Sequence, residues 1–104
     1  MLEKKVLLIE DEKDLADCVC NLLEGLSFSV TVLADIEQVL KYLNDNINTN
    51  LVLMDAFLRG KKSIDLLPRI KELNGKPKVV MMSGEIQDNI RNQSLQKGAD
   101  AYIQ

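Results

Sequence analysis

Residues able to do chemistry close three apolar runs of the chain. Val6-Leu7-Leu8-Ile9 is followed by Glu10-Asp11-Glu12, Leu51-Val52-Leu53-Met54 by Asp55, and Val79-Val80-Met81-Met82 by Ser83-Gly84. If these run-ends meet, two or three carboxylates and a hydroxyl share one cleft. Two unit charges about 4 Å apart repel by roughly 4 kcal/mol at an effective dielectric near 20. Either one carboxyl takes up a proton or a cation sits between them. Ligands that are all oxygen favour a hard divalent ion, and Mg²⁺ suits a site with few protein ligands because it keeps waters and accepts phosphate oxygens. A carboxylate beside such an ion can attack phosphorus and become an aspartyl phosphate. Taken singly, Asp55 reads better as a turn residue, and Glu10 to Asp14 as solvated charges favoured by a helix dipole. The combination is the stronger signal.

The elements that must position these groups follow from periodicity. Val6–Ile9 reads as a strand. Leu15, Val19, Leu22, Leu23 and Leu26 form a helical stripe with Gly25 near its end. Phe28–Leu33 is a second strand, rich in β-branched residues. Asp35 with Gln38 three residues on predicts a capped helix start, with a stripe of Ile36, Val39, Leu40, Leu43 and Ile47. The third strand is Leu51–Met54. A polar loop and a helix through Ile64, Leu67, Ile70 and Leu73 follow, with Pro68 tolerable near the first turn. Val79–Met82, opened by Pro77, is the fourth strand. A weak helix over Ile86–Lys97, with Ile86, Ile90 and Leu95 as its apolar positions, ends at Gly98 before a fifth strand at Ala101-Tyr102-Ile103. Alternating strands and helices predict an α/β, doubly wound parallel sheet with helices on both faces. The nearly continuous apolar strands agree, because such strands are covered on both sides. In such sheets a site lies beyond the carboxyl ends of the strands.

At 104 residues the chain is one domain. Its 13 basic and 16 acidic residues give a net charge of -3, which disfavours direct nucleic-acid binding through this domain. No apolar run has transmembrane length, and the N-terminus lacks the pattern of a signal peptide. Cys18 and Cys20 are expected to be reduced packing residues of a cytoplasmic protein. The chain has no His, which removes His-based catalysis and a conventional zinc site.

Lys5–Glu12, Leu51–Asp55, Val80–Gly84 and Lys97–Tyr102 together resemble the receiver domain of bacterial two-component response regulators, of the chemotaxis-regulator type. The resemblance covers the whole chain. It implies a flavodoxin-like five-stranded sheet of order 2-1-3-4-5. It implies a regulatory phosphoacceptor rather than an enzyme, one that assists its own phosphorylation and dephosphorylation. Asp55 would take a phosphoryl group from a sensor histidine kinase or phosphotransfer protein. Asp11, Asp55 and the Phe57 carbonyl would bind Mg²⁺, with Glu10 acting through water. Ser83 and Tyr102 would be the switch pair, and a downstream effector or output domain would read the change.

Three departures from that pattern stand out. Arg59 stands where Pro is usual and Lys62-Ser63 where Asp-Gly is usual, so the loop after Asp55 is basic. It reads either as surface drift or as a charge that tunes phosphoryl lifetime. Phe57 is bulky beside the acceptor and reads either as packing or as a shield against water. The Lys and final helix of the family would begin after Gln104, so residues 1–104 are expected to be a truncated receiver domain, and a homodimer is expected if that sheet face stays bare.

Other classes fit less well. A flavodoxin-like carrier would place phosphate against Glu10-Asp11-Glu12. An aspartyl phosphohydrolase needs a second Asp two residues after Asp55, where Phe57 stands. A P-loop needs Gly at Asp55. The remaining alternative is a receiver-like docking module that works without phosphate.

Overall fold

The computed structural model describes residues 4–84 and 88–103. The expected alternation is present: β1 (Lys4–Ile9), α1 (Lys13–Gly25), β2 (Phe28–Leu33), α2 (Val39–Asp45), β3 (Leu51–Asp55), β4 (Phe57–Leu58), β5 (Lys61–Lys62), α3 (Leu67–Lys71), β6 (Lys78–Met82), α4 (Asp88–Gln96) and β7 (Ala101–Ile103). Five strands form one parallel sheet in the order β2-β1-β3-β6-β7. With β4 and β5 set aside as a separate two-stranded ribbon, this is the expected 2-1-3-4-5 order.

Alternation along the strands splits the core into two layers. Leu7, Ile9, Val52, Met54, Val79 and Met81 point to one face and pack with α2, α3 and Ile90 of α4. Val6, Leu8 and Leu53 point to the other and pack with Ala16, Val19 and Leu23 of α1. Parallel strands are buried on both faces for this reason.

Several local expectations are corrected. The helix after β2 opens with a 3-10 turn at Ile36–Gln38, and the Asp35 side chain makes no capping hydrogen bond; its carboxylate instead lies 3.4 Å from the Arg59 guanidinium. Ile47 lies beyond α2 and is exposed. The polar loop after Asp55 is a hairpin, in which Phe57 pairs with Lys62 and Leu58 with Lys61. Its two linking residues have positive φ, 51° at Arg59 and 78° at Gly60, the signature of a type I′ turn. Pro68 does lie in the first turn of α3. The α1 stripe is only half used, since Leu15, Leu22 and Leu26 stay exposed while the small Ala16 is buried. On α4, Ser94 is buried beside Ile90, and Leu95 is exposed. Ile86 falls outside the described residues.

Candidate metal and phosphoryl site

The sheet places the acids where the sequence puts its strand ends. β1 and β3 are neighbours, with Ile9 opposite Met54, so Glu10 and Asp55 leave the sheet side by side. One oxygen each of Glu10, Asp11 and Asp55 lies within 4.8 Å of the others, and among the described residues this is the one such group able to hold a metal ion.

Each carboxylate is held differently. Glu10 is buried; its Oε1 accepts the Glu12 N–H at 3.0 Å, while Oε2 has no partner. Burial raises its carboxyl to about 7; the Glu12 N–H opposes this, and the neighbouring Asp55 and Asp11 add to the rise. Asp55 Oδ1 accepts the Phe57 N–H at 2.9 Å. The Asp55 carbonyl accepts the Ser63 hydroxyl at 2.5 Å, and the Ala56 N–H donates to Met82 O at 2.8 Å, so the turn after β3 is tied on both sides. Asp11 is exposed, and its Oδ2 accepts the Arg59 N–H at 2.9 Å.

Ser83 follows β6, next to β3, and is buried; its N–H donates to Ile103 O at 3.0 Å. Ser83 lines a groove of about 230 Å³ together with Glu10 and Asp55, so the hydroxyl and the acids share one cleft. Tyr102 is not part of that lining. It is half-buried, packs against the α2–α3 face, and its hydroxyl has no hydrogen-bond partner among the described residues.

Two of the three basic residues in the loop after Asp55 have side-chain partners. Arg59 pairs with Asp35 at 3.4 Å and Lys61 with Glu37 at 3.0 Å, both exposed. They brace the hairpin against the turn after β2. Exposed pairs of this kind contribute little to stability. Sequence reasoning missed the hairpin: Gly60 was the one turn signal, and Lys61-Lys62 carries no strand-forming residue.

Three carboxylate oxygens with an unpartnered, buried Glu10 Oε2 form a donor set of the hard-oxygen type that suits Mg²⁺ or Ca²⁺. Among the described residues no helix is long and apolar enough to cross a membrane.

Comparison with known proteins agrees with this geometry. The sequence matches the family described as "Response regulator receiver domain" over residues 6–104. The transcriptional regulatory protein CpxR of Escherichia coli K12 is 34% identical over 99 residues, 95% of this chain but 41% of CpxR. The chain thus spans less than half the length of such curated relatives. Among solved structures, a receiver domain protein of Methanospirillum hungatei superposes with a TM-score of 0.85 at 28% identity, covering 98% of this chain and 81% of that one. A response regulator of Burkholderia pseudomallei, solved with a phosphorylated aspartic acid and a calcium ion, has the same fold, with a TM-score of 0.86 at 21% identity over 97% of this chain and 59% of that one. With the acids gathered at the ends of β1 and β3 and the sheet in this order, the chain belongs to the response regulator receiver domain family of two-component signalling.

Proposed function

We propose that Asp55 is the phosphoacceptor of this receiver domain and that Glu10, Asp11 and Asp55 gather Mg²⁺ to assist the transfer. The observation that carries the reading is the convergence of three carboxylates within 4.8 Å, with Ser83 in the same groove. An Asp55 oxygen attacks the phosphorus of a phosphohistidine on a sensor kinase or phosphotransfer protein. The P–N bond breaks, and the imidazole leaves and takes a proton from solvent. Bound at the acids, Mg²⁺ would neutralise charge on the phosphoryl oxygens. Asp11 and Asp55 would be direct ligands, with the Phe57 carbonyl, and Glu10 would act through water. A phosphoryl group adds up to two charges and three acceptor oxygens, enough to draw the Ser83 hydroxyl inward. Tyr102 would respond with it, since no hydrogen bond holds its hydroxyl in place. The phosphorylated aspartate and calcium of the Burkholderia protein support this chemistry. A cytoplasmic location and an effector or output domain fit a regulator of this kind. The intact set of acids gives no reason to prefer a phosphate-independent docking module.

Incubation with a small-molecule phosphodonor and Mg²⁺ is expected to add one phosphoryl group by intact mass, and Asp55→Asn is expected to abolish it. Labelling that survives Asp55→Asn would move the acceptor elsewhere. Phe57 is half-buried against the core beside Asp55. Phe57→Asn is expected to speed loss of the phosphoryl group several-fold by admitting water; an equal or slower rate would reduce Phe57 to packing.

We also propose that the face bearing Leu15, Leu22, Met82 and Ile103 is covered by a further helix of the receiver fold. Leu22 is 67% and Ile103 53% exposed, which leaves an apolar strip beside the groove. Residues 1–104 alone are expected to bind a hydrophobic dye and to self-associate. A dye-silent monomer would argue against a helix-covered face.

A further inference from the structure

We propose that the tip of the Phe57–Lys62 hairpin is a positioning device for Asp11, and that Arg59 acts there through its main-chain N–H and not through its guanidinium. The inference rests on the reading of Asp11 as a metal ligand. Arg59 is pulled in two directions. Its N–H donates to Asp11 Oδ2 at 2.9 Å, across 48 residues of sequence. Its guanidinium reaches the other way, to Asp35. The exposed guanidinium pair contributes little. The N–H is a charge-assisted donor to a carboxylate, which is a stronger and shorter kind of bond.

The surrounding structure aims that N–H. Leu58, one residue before, is buried in the core, and the Ser63 N–H donates to Ala56 O at 2.9 Å, closing the far end of the hairpin. The positive φ values of 51° and 78° at Arg59 and Gly60 turn the chain within two residues. A non-glycine residue in this region is strained, so the turn is held by its surroundings. With Oδ2 accepting that N–H, the Asp11 side chain is restrained beside Glu10 and Asp55, whose carboxylate oxygens lie within 4.8 Å of one of its own. Proline at position 59 could not do this. It has no N–H, and its φ is locked near −65°. The departure at Arg59 from the receiver pattern thus supplies a contact that the usual residue cannot make.

The test uses the whole chain and two separating substitutions. Arg59→Gly keeps the N–H and accepts positive φ but removes the guanidinium. Arg59→Pro removes the N–H. In a Mg²⁺ titration by calorimetry, Arg59→Gly is expected to bind within about twofold of the wild type. Arg59→Pro is expected to bind about tenfold more weakly, equivalent to about 1.4 kcal/mol. A metal-free measurement runs alongside. Amide hydrogen exchange at Arg59 is expected to accelerate at least about tenfold in Asp11→Ala, while exchange at Ser63 stays unchanged. Equal weakening by Arg59→Gly and Arg59→Pro would assign the effect to the guanidinium and overturn the proposal. Unchanged Arg59 exchange in Asp11→Ala would overturn it as well. If Arg59→Pro also frees the Ser63 amide, the hairpin has opened, and the exchange result in Asp11→Ala decides. A wild type that binds no Mg²⁺ would refute the metal reading of Asp11, while the exchange result would still decide whether the hairpin tip positions it.

Discussion

Glu10→Gln is expected to stabilise the metal-free protein at pH 8 by about 1–2 kcal/mol, less than the full worth of moving a carboxyl from 4.5 to about 7 because Asp55 and Asp11 share in that shift. The cause is burial first, since Glu10 is only 4% exposed, reinforced by Asp55 and Asp11. The folded state holds the Glu10 proton more tightly than the unfolded chain does. Between pH 4.5 and about 7 the folded state therefore binds more protons, and its stability falls as pH rises through that window. Above it the deficit is complete. Gln keeps an acceptor for the Glu12 N–H and offers Asp55 a donor, without the charge. Denaturant unfolding in chelator is the measurement, and most of the gain should have disappeared at pH 5. A gain of equal size at pH 5 and pH 8 would refute the account. The same proton competes with metal. Apparent Mg²⁺ affinity of the wild type is expected to weaken below pH 7, by up to about tenfold per pH unit, and that dependence should flatten in Glu10→Gln. The acid that destabilises the empty fold is thus the one whose charge the ion would neutralise.

The sheet was legible because each strand is a short, nearly unbroken apolar run, and runs of that kind have few other places to go. Their ends carried the acids, but bringing Glu10, Asp11, Asp55 and Ser83 together also needed the strand order, which the family resemblance implied and spacing did not. What could not be read depended on partners distant in sequence. Asp35 looked like a cap, but the Arg59 guanidinium competes for its carboxylate. Arg59-Gly60 looked like a loop because a non-glycine residue at positive φ has no propensity signal. Leu15, Leu22 and Leu26 continued a convincing helical stripe, yet among the described residues nothing buries them. Ser94 is buried where a polar residue at helical spacing reads as solvent-facing. Tyr102 sits in its expected strand, with its ring on the face opposite α1, away from the acids. Asp100 belonged to a recognisable run, Gly98-Ala99-Asp100-Ala101, but its job there was invisible.

That job supports the second large effect. Asp100→Ala is expected to destabilise the fold by about 2 kcal/mol, because it strips a buried backbone donor of its partner. β7 begins at Ala101, so the first rung between β6 and β7 is made by a side chain: Val79 N–H donates to Asp100 Oδ2 at 2.8 Å, and Asp100 N–H donates back to Val79 O at 2.8 Å. Val79 is fully buried beneath the Asp100 side chain, so the lost acceptor is replaced only by water that enters the space Asp100 vacates. Lys71 Nζ donates to the same carboxylate at 2.8 Å and also to Pro77 O at 3.3 Å, which ties the end of α3 to the start of β6. Burial would raise the Asp100 carboxyl. The Lys71 and Val79 hydrogen bonds and the Lys71 and Lys78 charges outweigh it and hold the carboxyl below its ordinary 3.8. A depressed value means the stabilisation is present above pH 3.8 and is lost as pH falls through the folded-state value, so the gap between wild type and Asp100→Ala should close in acid. Thermal unfolding near pH 7 should show Asp100→Ala melting about 10 °C lower. Asp100→Asn keeps an acceptor for Val79 and should lose less than half as much. An Asn variant as unstable as the Ala variant would place the effect on charge, and no shift in either would overturn the account. Val79 and Asp100 lie at the opposite end of β6 and β7 from Ser83 and Ile103. The folded fraction of Asp100→Ala should therefore bind Mg²⁺ as the wild type does, separating the bond that closes the sheet from the acids that do its chemistry.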